Sequence, residues 1–311
     1  MAVTHRADED LRAFAQNGFI GPFDLYTPEQ AAQILRRVRV ANRDRSRILF
    51  DNSVNYDRHF DIPELAEHIG HPTIVSKVAK ILGPDLLHWR TEFFPKFPGT
   101  PGTEWHQVRN YQYATGQPML EHSVPGLDDL PLDITVWTTF TPATKENGCM
   151  KFLPGSHRRR YYDESKSGTI GRTGEYRSVE AMENDGSFFG YDFREFRVDP
   201  DWTPPERDAV ALEMDAGQCV IFTAQCVHAS YPNTTRRSTR FAIATRYVPT
   251  EVRVYPGWTT FEAHGGSFDL ADYGCVLVSG EDAYGHNRIR THDNHGRPFP
   301  RHALTGSDER R

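Results

Sequence analysis

The sequence predicts a mainly β protein, a double-stranded β-helix or jelly roll of the cupin-like kind, carried on a helical buttress. Two features of the chain point there. The first third places apolar residues at helical spacing. From about residue 86 the pattern changes to short runs rich in Val, Ile, Phe, Thr and Trp, divided by Pro, Gly, Asn and Asp. At 311 residues the chain is long enough to bury one large core without disulfide or metal staples. The predicted organisation is therefore a single domain over 1–311, with a helical N-terminal region over residues 1–85 and a jelly-roll core 86–290.

Taken in order, residues 8–17 and 27–43 read as helices. Thr27 supplies a hydroxyl cap, Pro28 fits the first helical position, and Glu29 favours the positive end of the helix dipole. A third helix, IVSKVAKILG, ends at Gly83, a residue suited to the left-handed cap. The segments LLHWRTEFFPKF, DITVWTTFTPA, MKFLPG, AVALEMDAG, CVIFTAQCVHASY and RFAIATRYV read as strands. DAGQ at 215–218 reads as a hairpin turn. Residues 158–208 are polar and weakly periodic, and a stretch that long predicts a functional lid. The polar tail beyond about residue 285 is expected to fray. Internal repeats and low-complexity tracts are absent from the sequence.

Composition narrows the function classes. A net charge of −6 disfavours nucleic acid as a partner, since phosphate binding calls for a basic surface. No apolar run approaches the length of a membrane span, so no membrane partner is expected. Cys149, Cys219, Cys226 and Cys275 form no CxxC pair and are too few for a disulfide framework, which predicts free thiols in a reducing cytoplasm. The charged start MAVTHRADEDLRAF lacks the apolar core of a signal peptide, and the expected location is cytoplasmic.

Fourteen histidines make any single one uninformative. Two are better placed: His106 in TEWHQVRNY, after a Pro/Gly turn, and His228 in VIFTAQCVHASYPN, at the end of an apolar run. Opposing strands of a jelly roll can bring such distant positions together. Two imidazoles and one carboxylate make the facial triad that holds non-haem iron and leaves open coordination positions. The carboxylate of such a triad normally follows the first His by two residues, where an extended segment aims both groups the same way. That position is Val108, which has no ligand atom. On spacing alone, an iron-binding pair and two ordinary hydrogen-bonded histidines both stay open. Arg240, on the next strand-like run, offers a guanidinium for bidentate pairing with a dicarboxylate; its plain alternative is a strand arginine with a surface partner. Arg246 shares its face by even spacing.

TEWHQVRNY, ITVWTTFTPATKENGCMKFLPGSH, FFGYDFREFRVDPDW, HASYPN, RFAIATRYVP and VYPGW together resemble the phytanoyl-CoA dioxygenase superfamily. Within it they resemble the non-haem Fe(II)/2-oxoglutarate-dependent aliphatic halogenases, typified by the threonine halogenase of the syringomycin pathway. The likeness runs from about residue 10 to about residue 290. It implies His106 and His228 as the protein ligands of Fe(II), and Arg240, helped by Thr103 and Trp137, as the partner of the distal carboxylate of 2-oxoglutarate. It implies Phe94 and Phe189 as walls of the substrate pocket, with Glu92 nearby, and Thr135 and Arg246 as supports of a halide. In the halogenases Ala or Gly replaces the carboxylate ligand, and chloride takes the vacated position.

Two positions depart from that pattern. Val108 is bulkier than Ala or Gly, and Tyr113 replaces an Asn of the chloride shell. Both narrow the halide site, and neither restores a carboxylate. Glu104, two residues before His106, offers a reversed carboxylate–His pair.

The chemistry implied by the resemblance uses O2 to oxidise 2-oxoglutarate to succinate and carbon dioxide, removes hydrogen from an unactivated carbon, and delivers chloride or hydroxyl to it. Three function classes are open. The first is chlorination of an amino acid held on a peptidyl carrier protein, in natural-product (antibiotic) biosynthesis. The second is hydroxylation or another oxidation of a free or tethered amino acid by the same fold. The third is a jelly roll that binds a ligand without catalysis. The basic run His157, Arg158, Arg159 and Arg160 offers a contact for an acidic carrier protein, and equally suits a solvated loop.

Overall fold

The computed structural model describes residues 2–51, 55–125, 131–169, 192–263 and 266–303. The helical region holds α1 (Ala2–Asn17), α2 (Pro28–Ala41), α3 (Pro63–Ile69) and α4 (Pro72–Leu82), with strand β1 (Phe19–Asp24) between the first two. The remaining strands are β2 (Leu86–Lys96), β3 (Leu120–His122), β4 (Ile134–Thr139), β5 (Met150–Phe152), β6 (Val210–Leu212), β7 (Gln218–Phe222), β8 (His228–Ser230), β9 (Arg240–Pro249), β10 (Val252–Val254), β11 (Thr260–Ala263), β12 (Gly266–Asp269) and β13 (Val276–Ser279).

The helix ends follow local chemistry. Thr27 and Gln30 form a reciprocal capping box at the start of α2, with Pro28 at its first position. Gly83 closes α4 at a φ of 93°, where a side chain would be strained. One face of α2 (Ala31, Leu35, Val38) packs on Phe93, Phe140, Phe241 and Ile243 of the sheet, and α4 buries Ile74, Val75 and Val78 in the main core cluster. The helices thus cover the outer face of a large sheet.

That sheet has six antiparallel strands in the order β1-β7-β4-β9-β2-β13. A smaller sheet, β6-β5-β8, faces it and is also antiparallel. Phe152 of the small sheet lies 5.2 Å from Phe222 of the large one, ring centre to ring centre, which closes one end of the sandwich. The architecture is the predicted mainly β jelly roll with a helical buttress. Among the described residues no helix is long and apolar enough to cross a membrane.

Several expectations are corrected. The apolar run 219–231 is two strands, because the turn after Phe222 carries the chain from one sheet to the other; His228 opens β8 rather than ending a long strand. DAGQ likewise joins β6 to β7 across the sandwich and is no hairpin. β1 lies in the stretch read as helical: its Gly21 and Pro22 disguise it, and both are tolerated because β1 pairs on one side only, at the sheet edge, with a register shift between Ile20 and Phe23. The tail through residue 303 is packed rather than frayed: Phe299 is buried against Phe60, and Pro300 covers Gly70. Of the predicted lid, 170–191 lies outside the described residues, whereas Phe193 and Phe196 are fully buried.

Candidate metal and cosubstrate centre

The two sheets enclose a cavity of about 570 Å3, its open mouth included. It is lined by ten of the residues singled out from the sequence: Phe94, Thr103, His106, Val108, Tyr113, Thr135, Trp137, His228, Arg240 and Arg246. Strand alternation selects them. On β4 the inward positions are Thr135 and Trp137, and on β9 they are Arg240, Ala244 and Arg246. Phe189 lies outside the described residues.

His106 and His228 form an isolated antiparallel bridge, each donating its backbone N–H to the other's carbonyl at 3.0 Å. Directly opposed residues project to one face, and the ring centres are 4.2 Å apart. Each ring is held by its Nδ1, which lies 2.7 Å from a backbone carbonyl: that of Glu104 for His106 and that of Cys226 for His228. A carbonyl only accepts, so Nδ1 carries the proton and the lone pair belongs to Nε2 on both rings. Burial keeps both imidazoles neutral, pushing His106 down to about 4 and His228 well below the usual range. Two neutral imidazoles with fixed tautomers suit Fe(II).

Among the described residues no group of three or more His, Cys, Asp and Glu side chains gathers where a metal could bind. Val108, 4% exposed, lies on the cavity wall and contributes no ligand atom. The reversed pair offered by Glu104 is not formed: its carboxylate lies beside Arg194, Oε1 to Nε 3.6 Å.

Arg240 is buried, and among the described residues no carboxylate reaches it. Its Nη1 donates to the Phe94 carbonyl at 3.3 Å, its Nε has no partner, and its guanidinium stands 4.9 Å from the centre of the Trp137 ring. Burial pushes its pKa down to about 10. An uncompensated buried guanidinium is costly unless an anion completes it, and a dicarboxylate cosubstrate supplies that anion. The residues present therefore fit Fe(II) on the two histidines and 2-oxoglutarate between them and Arg240.

Arg246 has a different setting from Arg240. Its Nη1 donates to Tyr111 Oη at 2.6 Å and Thr135 Oγ1 at 2.9 Å, and its Nη2 lies 2.5 Å from Glu92 Oε2. Glu92, expected near the substrate, is buried beneath the cavity between Arg246 and Arg90, the latter at 3.7 Å. Tyr111 in turn donates to Asp133 at 2.6 Å. Burial is the largest single influence on Arg246 and favours its neutral form, but Glu92, Tyr111 and Asp133 together outweigh it and hold the guanidinium charged.

Sequence reasoning missed Tyr111, Met150, Phe222 and Ser230 on the cavity wall, and Phe193, whose ring centre is 5.0 Å from that of His106. Phe222 and Phe193 stood inside segments already quoted for other reasons. Only the tertiary fold assigns them to the site: Phe222 by strand pairing, and Phe193 by the packing of a short helical turn over Phe193–Phe196.

A facing pair of antiparallel sheets, two histidines opposed across a backbone bridge and a buried arginine define a non-haem iron oxygenase of the jelly-roll class. The chain belongs to the phytanoyl-CoA dioxygenase (PhyH) family, whose pattern it matches over residues 14–242. It is similar to the solved structure of CytC3 with Fe(II) and alpha-ketoglutarate, at 35% identity and a TM-score of 0.74, covering 96% of this chain and 97% of that one. The nickel complex of the non-haem monooxygenase ThoJ shares the fold at 23% identity and a TM-score of 0.60, over 90% of this chain and 87% of that chain. Methylphosphonate hydroxylase of Gimesia maris is 26% identical over 143 residues, 46% of this chain; the match spans 44% of that protein's length.

Proposed function

We propose that the protein is an Fe(II)/2-oxoglutarate-dependent halogenase-like enzyme that chlorinates an unactivated carbon of an amino acid presented on a carrier protein. The observation that carries this reading is Val108. The wall position where a carboxylate ligand would stand is a buried aliphatic side chain, and among the described residues no other acid joins the two histidines. Bound iron, 2-oxoglutarate and O2 supply removal of hydrogen from the substrate carbon while 2-oxoglutarate is oxidised to succinate and carbon dioxide. The protein's own contribution is orientation and exclusion of water. His106 and His228 hold the metal through Nε2, and Arg240 holds the far end of the cosubstrate. Phe94, Tyr113, Met150 and Phe222 form an apolar wall that favours an aliphatic side chain. Thr135 and Arg246 stand on the cavity side of the polar network, where they support an anion.

Support for a tethered substrate comes from a groove beside the site, lined by Arg109, His157, Arg158, Arg159 and Arg160. Its basic rim complements an acidic carrier domain and the phosphate of its prosthetic arm.

Hydroxylation is the second reading, and the same Val108 favours it: its methyl groups narrow the space left for chloride, and water is smaller. The experiment that separates the two is incubation of the iron-loaded protein with 2-oxoglutarate, O2, chloride and carrier-bound amino acids, followed by mass spectrometry. A product heavier by chlorine in place of hydrogen supports halogenation; a product heavier by one oxygen moves the reading to hydroxylation. Succinate formation that no amino acid stimulates would sink the substrate class.

A further inference from the structure

Lys96 is a second buried cation beside the cosubstrate pocket, and no role assigned so far uses it. It is 3% exposed and pairs directly across the ladder with Arg240, as the last residue of β2 against the first of β9. Its Nζ donates to three oxygens: the carbonyls of Pro101 and Tyr231 at 2.8 and 3.0 Å, and Ser230 Oγ at 2.9 Å. Three acceptors use all three protons of an ammonium.

The bond to Ser230 sets the direction of its neighbours. Ser230 Oγ also accepts from the Thr103 backbone N–H at 3.1 Å. Both of its lone pairs are then occupied by donors that cannot accept. Its single proton goes to the remaining neighbour, Thr103 Oγ1, at 2.9 Å. Thr103 Oγ1 is thereby an acceptor on the protein side, and its own proton turns away from Ser230. Thr103, Ser230 and Arg240 all line the cavity.

We propose that Lys96 and Ser230 form an orienting relay that fixes Thr103 as a hydroxyl donor to the distal carboxylate of 2-oxoglutarate, which makes Lys96 a positioning residue for the cosubstrate. The inference rests on placing that carboxylate at Arg240. A hydroxyl pre-aimed at an anion binds it without the loss of a rotor.

The same geometry couples binding to a proton. Burial, with repulsion from Arg240, pushes Lys96 down to about 7. Cys149 is the other titratable group facing it, and burial pushes that thiol up to about 11, so it stays neutral. A neutral amine would accept from Ser230 and reverse the relay. An anion that accepts from Thr103 selects the orientation in which Lys96 is an ammonium, so binding above pH 7 takes up a proton.

The test is calorimetric titration of the anaerobic Fe(II) protein with 2-oxoglutarate and with 2-oxopentanoate, which lacks the distal carboxylate. Lys96→Met, Ser230→Ala and Thr103→Val are each expected to weaken 2-oxoglutarate about tenfold, the effect of one hydrogen bond to a charged group, while leaving 2-oxopentanoate within about twofold. Lys96→Met combined with Thr103→Val should be no weaker than Thr103→Val alone, since the two act through one hydroxyl. Titration at pH 8 in buffers of differing ionisation enthalpy should show proton uptake that Lys96→Met abolishes. Equal weakening of both ligands, or additive losses in the double variant, would overturn the relay by reducing Lys96 to a packing role. An Arg240→Met variant separates the two layers: if it binds 2-oxoglutarate like the native protein, the carboxylate site itself is misplaced. If Arg240→Met weakens binding and the three relay variants do not, only the relay fails.

Discussion

His106 and His228 hold one another in place through a single antiparallel bridge, with both backbone N–H groups exchanged at 3.0 Å and both rings locked through Nδ1. Backbone geometry presents the two Nε2 atoms together, so loss of either imidazole should remove metal binding without unfolding the sheet. His228→Ala is expected to abolish the weak visible band that forms anaerobically with Fe(II) and 2-oxoglutarate, at an unchanged melting temperature within a few degrees. An intact band in that variant would show that the metal sits elsewhere.

Arg240 differs from Arg246 in lacking a buried carboxylate partner among the described residues. Truncating one partner of a desolvated charge pair costs about 2–5 kcal/mol, so Arg240→Ala should raise the dissociation constant for 2-oxoglutarate at least about tenfold. Equilibrium titration of the Fe(II) protein measures this directly. A change below twofold would place the anchor on another cation.

Val108 decides how an anion can approach the metal. Its buried methyl groups leave little room and offer an anion no hydrogen bond. Chloride titrated against the anaerobic iron complex should bind more weakly to the native protein than to Val108→Ala. Val108→Asp should rebuild a third ligand and lose all response to chloride. Equal chloride affinity in the native and Val108→Ala proteins would mean that Val108 does not face the metal.

Glu164 supplies a pH prediction. Its buried carboxylate accepts backbone N–H groups from Arg109, Asn110 and Tyr113, tying the start of the 158–208 insertion to the loop after His106. Burial outweighs those bonds and pushes it up to about 7. Its folded pKa lies above its unfolded one, so its stabilising contribution is complete below about pH 4.5 and is lost as pH rises through about 7. Glu164→Gln cannot ionise, and its melting temperature relative to the native protein should rise between pH 5 and pH 8. A constant difference across that range would remove Glu164 from the titration.

Arg58 tests the buttress. Fully buried, it grips Asp61 with two nitrogens and reaches the backbone carbonyls of Asn42 and Asp44. Arg58→Met strands the Asp61 carboxylate and should destabilise the fold by about 3–5 kcal/mol, read as a shift of the urea midpoint. A loss under about 1 kcal/mol would mean that water reaches Asp61.

Periodicity and caps alone gave the helices around Leu35 and Val78 and the long strands holding Phe94, Trp137 and Arg246, because local steric preference and one-sided burial write themselves into the residue order. The histidines and Arg240 could be named from their segments, and Val108 from its spacing to His106. What the order of residues left open was every relationship that depends on pairing. That the apolar run at 219–231 breaks and changes sheets depends on where its hydrogen-bond partners lie. That Phe193 closes on His106 depends on how a short helical turn packs over the cavity, and that Glu92 turns under the cavity to Arg246 and Lys96 comes to stand opposite Arg240 are consequences of strand register. Register is fixed by the burial of many side chains at once, and no local stretch of sequence contains that sum.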